Sequence, residues 1–468
     1  MLRPGMHIHI VGVGGYGMSP IAHVLLLQGY TVSGSDLRAN DLTRALQQAG
    51  ATVYQGHDAA HITGADLVVA TSAATDDNPE IAAARAQGIP VLWRRDLLGE
   101  LMARHTGIAI AGTHGKTTTT ALMTHVLIEA GRDPTYIVGG VMRRTGANAG
   151  VGQGPEFVIE ADEYGYMFLG LRPKIAVVTN IEHDHPDIFP TEADVLDAFR
   201  QFVARLPDDG LLVACADDPN ARQFAEARRA ADQPVLTYGI DAPQADWIAS
   251  DLEPDAAGGM RFTVRRRGQM VGQVRLNLAG RHNVLNALAV IAVADQLGVP
   301  FEQVAAACAS FAGTERRSQV MGAAGGVTVV NDYGHHPTAI RVTVEAYRSR
   351  PGEGALWAVW QPHTFGRMRT LADAFESAFA GADHVLVTDV YSVRETVGPG
   401  LDAAGMAEQI RAAGHPDAQY TGAPDATAQT LLDSVRPGDV VLILSAGDAP
   451  AIGEMVLKQL RAREEQRG

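Results

Sequence analysis

An apolar run, Gly107-Ile-Ala-Ile-Ala111, leads into Gly112-Thr-His-Gly-Lys116 and then into four threonines, Thr117 to Thr120. Glycines in such a turn let backbone N–H groups close on phosphate oxygens, and the helix opened by the threonines adds its positive end. A lysine there reaches the β- and γ-phosphates, and the next hydroxyl can ligate Mg²⁺. The residues placed to meet a nucleoside triphosphate are therefore Gly112, Thr113, His114, Gly115, Lys116, Thr117 and Thr118. The longer form of this pattern carries a glycine six positions before the lysine, where this chain has Ile110. The loop is a shortened one.

Two acidic clusters supply what a triphosphate site needs next. Phe157 to Ile159 reads as a strand ending in Glu160-Ala-Asp-Glu163, and Lys174 to Thr179 as a strand ending in Asn180-Ile-Glu-His-Asp-His-Pro-Asp187. Each falls at a strand end, where an open α/β sheet binds ligands and where Mg²⁺ would sit against phosphate oxygens.

A second glycine turn opens the chain. Met6 to Val13 alternates His with Ile and Val, meets Gly12-Val-Gly-Gly-Tyr-Gly17, and is followed by a helix from Met18 to Gly29. The strand Thr31 to Ser35 then delivers Asp36, about where a dinucleotide fold puts its ribose-binding acid. A nicotinamide, a flavin and another nucleotide-linked ligand are all compatible with this pattern. His57 and Ser72 sit at further strand ends, as ligand contacts or as solvated loop residues.

The elements that must position these groups are those of an α/β protein. Its 468 residues exceed one core, so about three domains are expected: a Rossmann-like unit over 1–104, a central unit over 105–313 carrying the phosphate loop on a mixed or parallel sheet, and a C-terminal Rossmann-like α/β unit over 314–468. Tyr238 to Arg266 reads as an irregular antiparallel edge of the central sheet. Asn283 and Asn286, three apart on the long helix that follows, could turn both amides to one flat polar group. In the last unit four strand ends carry polar clusters, Asn331 to His336, Gln361-Pro-His363, Asp389-Val-Tyr391 and Ser445 to Asp448, which implies one site.

A formal net charge of -15 argues against nucleic-acid binding through a basic face. Cys215 and Cys308 have no metal or redox spacing. The sequence contains no stretch of 18 or more apolar residues, and the N-terminus enters its glycine turn too early for a signal peptide, so a cytoplasmic protein without membrane insertion is expected.

With these motifs in hand the chain resembles the Mur ligases over essentially its whole length. The matching stretches are Gly12 to Ser19, Gly112 to Thr117, Glu160 to Glu163, Thr179 to His185, His282 to Asn286, Asp332 to Thr338 and Gln361 to His363. The resemblance implies three domains and assigns the first glycine turn to the UDP of a sugar nucleotide, through Gly14, Gly15, Gly17, Met18, Ser19, Asp36, His57 and Ser72. It implies ATP and Mg²⁺ between the second and third domains, with Thr117, Glu160 and His185 as metal residues and Asn283, Asn286, Arg317 and Asp332 on the nucleotide. Lys116 and His185 become catalytic, and His336, His363 and Arg367 lie near the incoming amino acid. The implied reaction activates the muramoyl carboxylate of UDP-N-acetylmuramate as an acyl phosphate and passes it to an amine, in a monomer or weak homodimer. Pro186 to Leu206 contains no Lys, as in the alanine-adding members, so L-alanine is the expected amine. Glu160-Ala-Asp-Glu-Tyr164 and Asp187-Ile-Phe189 look more like the ligases that attach a recycled murein tripeptide, which is the alternative.

Overall fold

The computed structural model describes residues 2–255, 258–350, 354–392 and 402–466. Three sheets organise them. The first has five strands in the order Thr52–Gln55, Thr31–Asp36, His7–Val11, Leu67–Ala70, Val91–Trp93, all paired in parallel. Val91–Trp93 and the helix Arg94–Met102 behind it add a strand and a helix to the expected set.

The central sheet has ten strands, and its order places the chemistry. Thr106–Ala111 lies between Ile175–Val178 and Glu156–Glu160, with Ala111 beside Val178 and Ile110 beside Glu160. The phosphate loop therefore leaves the sheet with an acidic strand end on either side, at the point where strand order diverges and a crevice opens. The far edge is antiparallel, made of Trp247–Pro254, Met260–Arg266 and Gln269–Leu276, in keeping with the irregular edge expected there.

The third sheet runs Gln319–Ala324, Val327–Asp332, Val440–Leu444, Leu356–Trp360, His384–Thr388, Ala418–Gly422. Its central strands Leu356–Trp360 and Val440–Leu444 are apolar throughout and buried on both faces, as parallel strands covered by helices must be. The outer two, Gln319–Ala324 and Ala418–Gly422, lack that apolar run because each is a half-exposed edge.

Candidate functional site

A cavity of about 1300 Å³ separates the central and third units, lined among others by Lys116, Glu160, His185, Asn286, Asp332 and Arg367. The glycine turn forms as its residue types require. Gly115 caps the helix Lys116–Glu129 at φ +82°, and a Cβ on it would stand 2.5 Å from Asn286 Oδ1. Only glycine satisfies both constraints. Gly112 is held equally tightly, since its Cβ would meet Thr179 Oγ1 at 1.9 Å.

Lys116 is not on a solvent-facing loop. Its Nζ donates to Gly112 O at 2.6 Å, to Thr113 O at 3.2 Å and to Glu163 Oε1 at 2.8 Å. Burial acts to discharge the amine, but the carboxylates of Glu163, Asp162 and Glu160 outweigh it and hold its pKa above the ordinary lysine value. Burial pushes the Glu163 carboxyl up to about 7 against the pull of Lys116. The pair holds the lysine charged and aimed into the loop.

Thr117 Oγ1 donates to Glu160 Oε1 at 3.1 Å, and Glu160 Oε2 accepts from Gly139 N at 2.7 Å. About 3 Å is the spacing of adjacent oxygen ligands on an octahedral Mg²⁺ with bonds of 2.0–2.1 Å, so these two side chains fit that ion. His185 stands apart from them. Its Nε2 lies 3.8 Å from Glu163 Oε1 and 3.7 Å from Asp184 Oδ2, while Arg367 Nη2 donates to its Nδ1 at 3.4 Å. Burial, which Asp184 only partly offsets, pushes its pKa down. Thr117, Glu160 and His185 are therefore on one cavity but not yet on one point. Among the described residues a different group, His114, Glu182 and His336, brings its potential ligand atoms within 4.8 Å of one another.

Arg367 is buried. Its side chain is 5 % exposed; Nε donates to Asp184 Oδ1 at 2.9 Å, Nη2 lies 2.8 Å from the same oxygen, and Nη1 donates to His363 Nδ1 at 3.1 Å. Asp184 belongs to the central unit and Arg367 to the third. A second link between these units joins Glu182 to Thr338, whose hydroxyl donates at 2.7 Å, with His336 Nδ1 3.7 Å away. A third runs from Arg317 Nη2 to Thr117 Oγ1 at 3.1 Å. Burial pushes His336 down to about 4, leaving a neutral imidazole whose Nε2 has no partner. Backbone strain concentrates here too: His185, Ser318 and Thr364, all on the cavity, hold φ of +55°, +48° and +65°.

The two amides on the long helix do not both face a ligand. Asn286 Nδ2 donates to Asn283 Oδ1 at 3.1 Å, and Asn283 Nδ2 donates to Ala279 O at 2.7 Å. Asp332 reaches the cavity while accepting from Ser318 N at 2.7 Å and Gly334 N at 2.7 Å. The four polar strand ends of the third sheet do converge. Gln361 donates to Asp448 and accepts from Ser445 and Ala449 N, and His363 bridges to Tyr391.

The first glycine turn lies outside this cavity. Gly14, Gly15, Gly17, Met18 and Ser19 line the carboxyl edge of the first sheet, where Asp36 Oδ2 accepts from Gly14 N at 2.9 Å and so braces the turn itself. Ser72 is exposed. His57 Nδ1 lies 2.9 Å from Glu80 Oε2, beside His61 Nδ1 at 2.8 Å from Oε1 and the Ser35 hydroxyl, which donates at 2.7 Å. Glu80 was invisible as a functional residue because it reads as the acidic first turn of the helix Pro79–Ala86. Burial alone would raise its carboxyl; His9, Ser35 and His61 hold it down to about 2. A carboxylate with a depressed pKa stabilises the fold above its unfolded pKa of 4.5 and loses that contribution as pH falls through about 2. Glu80→Gln is expected to cost about 2 kcal/mol at pH 7. In thermal melts the gap from wild type should close as pH falls from 4.5 towards 2.

Three family profiles match consecutive spans: the Mur ligase family catalytic domain at residues 7–106, the Mur ligase middle domain at 110–294, and the Mur ligase glutamate ligase domain at 316–447. The chain is 44% identical over 459 residues to the UDP-N-acetylmuramate–L-alanine ligase of Anaeromyxobacter sp. (strain Fw109-5), covering 97% of this chain and 98% of that one. It resembles the crystal structure of UDP-N-acetylmuramate-alanine ligase from Thermotoga maritima with a TM-score of 0.80 at 28% identity, over 98% of this chain and 100% of that one. A murein peptide ligase from Psychrobacter arcticus gives a TM-score of 0.68 at 28% identity, over 98% and 99%.

Proposed function

Because this chain belongs to the Mur ligase family, we infer that it joins L-alanine to UDP-N-acetylmuramate with cleavage of ATP to ADP and phosphate, in peptidoglycan synthesis. The observation that carries the choice of amine is the full-length identity of 44% to a relative named for that reaction. The murein tripeptide alternative is not favoured, since the TM-score is 0.80 to the alanine ligase structure against 0.68 to the peptide ligase. Units at 1–104, 105–313 and 314–468 are supported by the profile spans 7–106, 110–294 and 316–447. We place the protein in the cytoplasm as a monomer or weak homodimer; among the described residues no helix is long and apolar enough to cross a membrane.

In the reaction a muramoyl carboxylate oxygen attacks the γ-phosphorus, and the bond to the β,γ-bridging oxygen breaks with its electron pair leaving on ADP. The amine nitrogen then attacks the acyl carbon, and phosphate leaves with the C–O pair while the nitrogen loses a proton. Little of this requires acid–base work from the protein until the last step, so positioning and charge neutralisation dominate. Lys116, charged and backed by Glu163, is suited to neutralise the transferred phosphoryl group, with Gly115 N and the start of the helix Lys116–Glu129 beside it, while Thr113 N and His114 N are bonded to Asn180. Asn286, Arg317 and Asp332 line the cavity as nucleotide contacts, with Asn283 bonded to Asn286 and holding it in place. His336 is neutral and its Nδ1 accepts from Thr338 N at 3.3 Å, so its buried Nε2 carries the hydrogen and is suited to donate to a phosphate or acyl oxygen, with His114 beside it.

Thr117 and Glu160 are the residues suited to hold Mg²⁺, which supplies charge neutralisation at the phosphates, and His185 would join them by turning from Asp184. Glu160→Gln should therefore raise the Mg²⁺ concentration for half-maximal activity about 10-fold or more. An unchanged metal requirement would move the ion away from Glu160. The function itself is tested by phosphate release with UDP-N-acetylmuramate against L-alanine, glycine, L-serine and the tripeptide. Release with the tripeptide but not with L-alanine would overturn the reading.

A further inference from the structure

Where the central and third units meet, three side chains offer metal-ligating atoms to one point. Glu182 follows the strand Ile175–Val178 and is tied to the phosphate loop: its N–H donates to Thr113 Oγ1 at 2.9 Å, and that hydroxyl donates to Glu182 O at 3.2 Å. The carboxylate is thereby held beside His114, whose Nε2 lies 3.4 Å from Oε2. His336, which precedes the helix Pro337–Arg348 of the third unit, brings Nδ1 to 3.7 Å from the same oxygen. One ligand atom from each of the three lies within 4.8 Å of the other two, and the imidazole rings stand 4.7 Å apart between centroids. Four-coordinate Zn²⁺ sets neighbouring ligand atoms about 3.3–3.4 Å apart, so one such ion fits with small side-chain movements.

Two acceptors face each other here with no hydrogen between them. His336 Nδ1 accepts from Thr338 N at 3.3 Å, so it turns only a lone pair towards Glu182. Burial alone would raise the Glu182 carboxyl, but His114, Thr338 and His336 hold it down to about 2, and it is ionised. Thr338 Oγ1 donates to Oε2 at 2.7 Å, yet His336 sends it no hydrogen. A lone pair opposed to a largely buried carboxylate is costly, and a cation between them removes the cost. His336 cannot supply that charge itself at neutral pH, because burial pushes its pKa down to about 4. The cation has to come from outside. Two imidazoles and one carboxylate suit Zn²⁺, Co²⁺ or Ni²⁺, whereas Mg²⁺ takes oxygen ligands such as those of Thr117 and Glu160.

We propose that His114 Nε2, Glu182 Oε2 and His336 Nδ1 form a site for a transition-metal dication of the Zn²⁺ class, separate from the Mg²⁺ pair Thr117 and Glu160. The ion replaces the long bond from Thr338 N to His336 Nδ1 and leaves the ring hydrogen on Nε2, the tautomer that ligation through Nδ1 requires. Two of the ligands belong to the central unit and one to the third, so the ion pins the cavity in its closed arrangement. The cavity has to open between turnovers, and the bound ion therefore inhibits. That consequence, unlike the site itself, rests on the reading of this chain as a ligase.

The test adds Co²⁺ and Zn²⁺ to the full-length protein in the absence of nucleotide and Mg²⁺. Co²⁺ should give the strong visible bands of a four-coordinate ion, and X-ray absorption of the Zn²⁺ form should show two imidazole ligands. The second measurement needs no variant. His114→Asn, Glu182→Gln and His336→Asn, each checked for folding by circular dichroism, should weaken Zn²⁺ binding in calorimetry by at least about 10-fold, whereas Glu160→Gln and Glu80→Gln should leave it within about 2-fold of wild type. Weak octahedral Co²⁺ bands, or an absorption spectrum with fewer than two imidazoles, would overturn the site. So would bands that survive His114→Asn and vanish with Glu80→Gln, which would move the ion to His57 and His61 around that carboxylate. In turnover at saturating Mg²⁺, with free Zn²⁺ set by a metal buffer, Zn²⁺ should inhibit the wild type, and half-inhibition of His114→Asn should need at least about 10-fold more. Equal inhibition of the two proteins would refute the inhibitory role. Zinc-free protein that turns over no amine would sink the ligase reading and leave the spectra standing.

Discussion

Lys116→Ala is expected to lower kcat/KM by about 10²- to 10³-fold, the loss seen when a preorganised group that stabilises developing charge is removed. Retention of more than a tenth of wild-type activity, a loss under about 1.4 kcal/mol, would refute the role given to the phosphate loop. The same substitution should also reach the fold, because Lys116 neutralises Glu163, which is 2 % exposed. Glu163 then loses its cation, and its pKa rises beyond the value of about 7 that burial gives it with Lys116 in place. A carboxyl whose folded pKa is raised contributes stability below its unfolded pKa of 4.5 and loses it as pH rises through the folded value. The variant should therefore melt close to wild type near pH 5 and well below it at pH 8, by up to about 3 kcal/mol. Lys116→Ala/Glu163→Gln should recover the stability at pH 8 and none of the activity, which separates the two roles.

Arg367→Ala is expected to raise KM for ATP, the UDP-sugar and L-alanine together and to lower kcat/KM by about 10²-fold or more. A residue that only lay near the incoming amino acid, as the resemblance implies, would give a selective rise in one KM. The geometry replaces that with a latch: Arg367 and Asp184 are 5 % and 6 % exposed, paired at 2.8 Å across the central and third units. Removing one partner of a buried pair costs about 3 to 5 kcal/mol, because the other charge stays buried alone. That cost falls on the closed arrangement of the cavity, which every substrate needs. Steady-state kinetics with each substrate varied decides between the two, and a rise confined to L-alanine would return Arg367 to the amino acid. Burial alone would raise the Asp184 carboxyl, but His185 and Arg367 outweigh it and hold it well below the ordinary carboxylate range. Its stabilisation is present above the unfolded pKa and lost only as pH falls through that depressed value, so the latch should be insensitive to pH between 6 and 9.

Much of this site can be read from the chain because its signals are local. A strand period that breaks into Gly112 to Gly115, then Lys116 and hydroxyls, needs no distant residue to be recognised. Polar clusters at the ends of apolar runs must collect at one sheet edge, since parallel strands all end there; the convergence of Gln361, His363, Tyr391 and Ser445 follows from that rule. Asn283 and Asn286 show its limit. Their spacing of three residues puts them on one helical face, yet the same proximity lets them bond each other.

The three α/β units, the phosphate loop, the acidic strand ends and the family of reactions they serve are legible along the chain, because each is written in short-range periodicity and residue type. Which charges neutralise which is set by the packing of distant segments. Lys116 meets Glu163 because strand order sets Glu156–Glu160 beside Thr106–Ala111. Arg367 meets Asp184 from 183 residues away because the third unit packs over the cavity. Such pairings depend on strand order, on how one unit sits against the next and on where each side chain points, and none of these leaves a mark in local spacing.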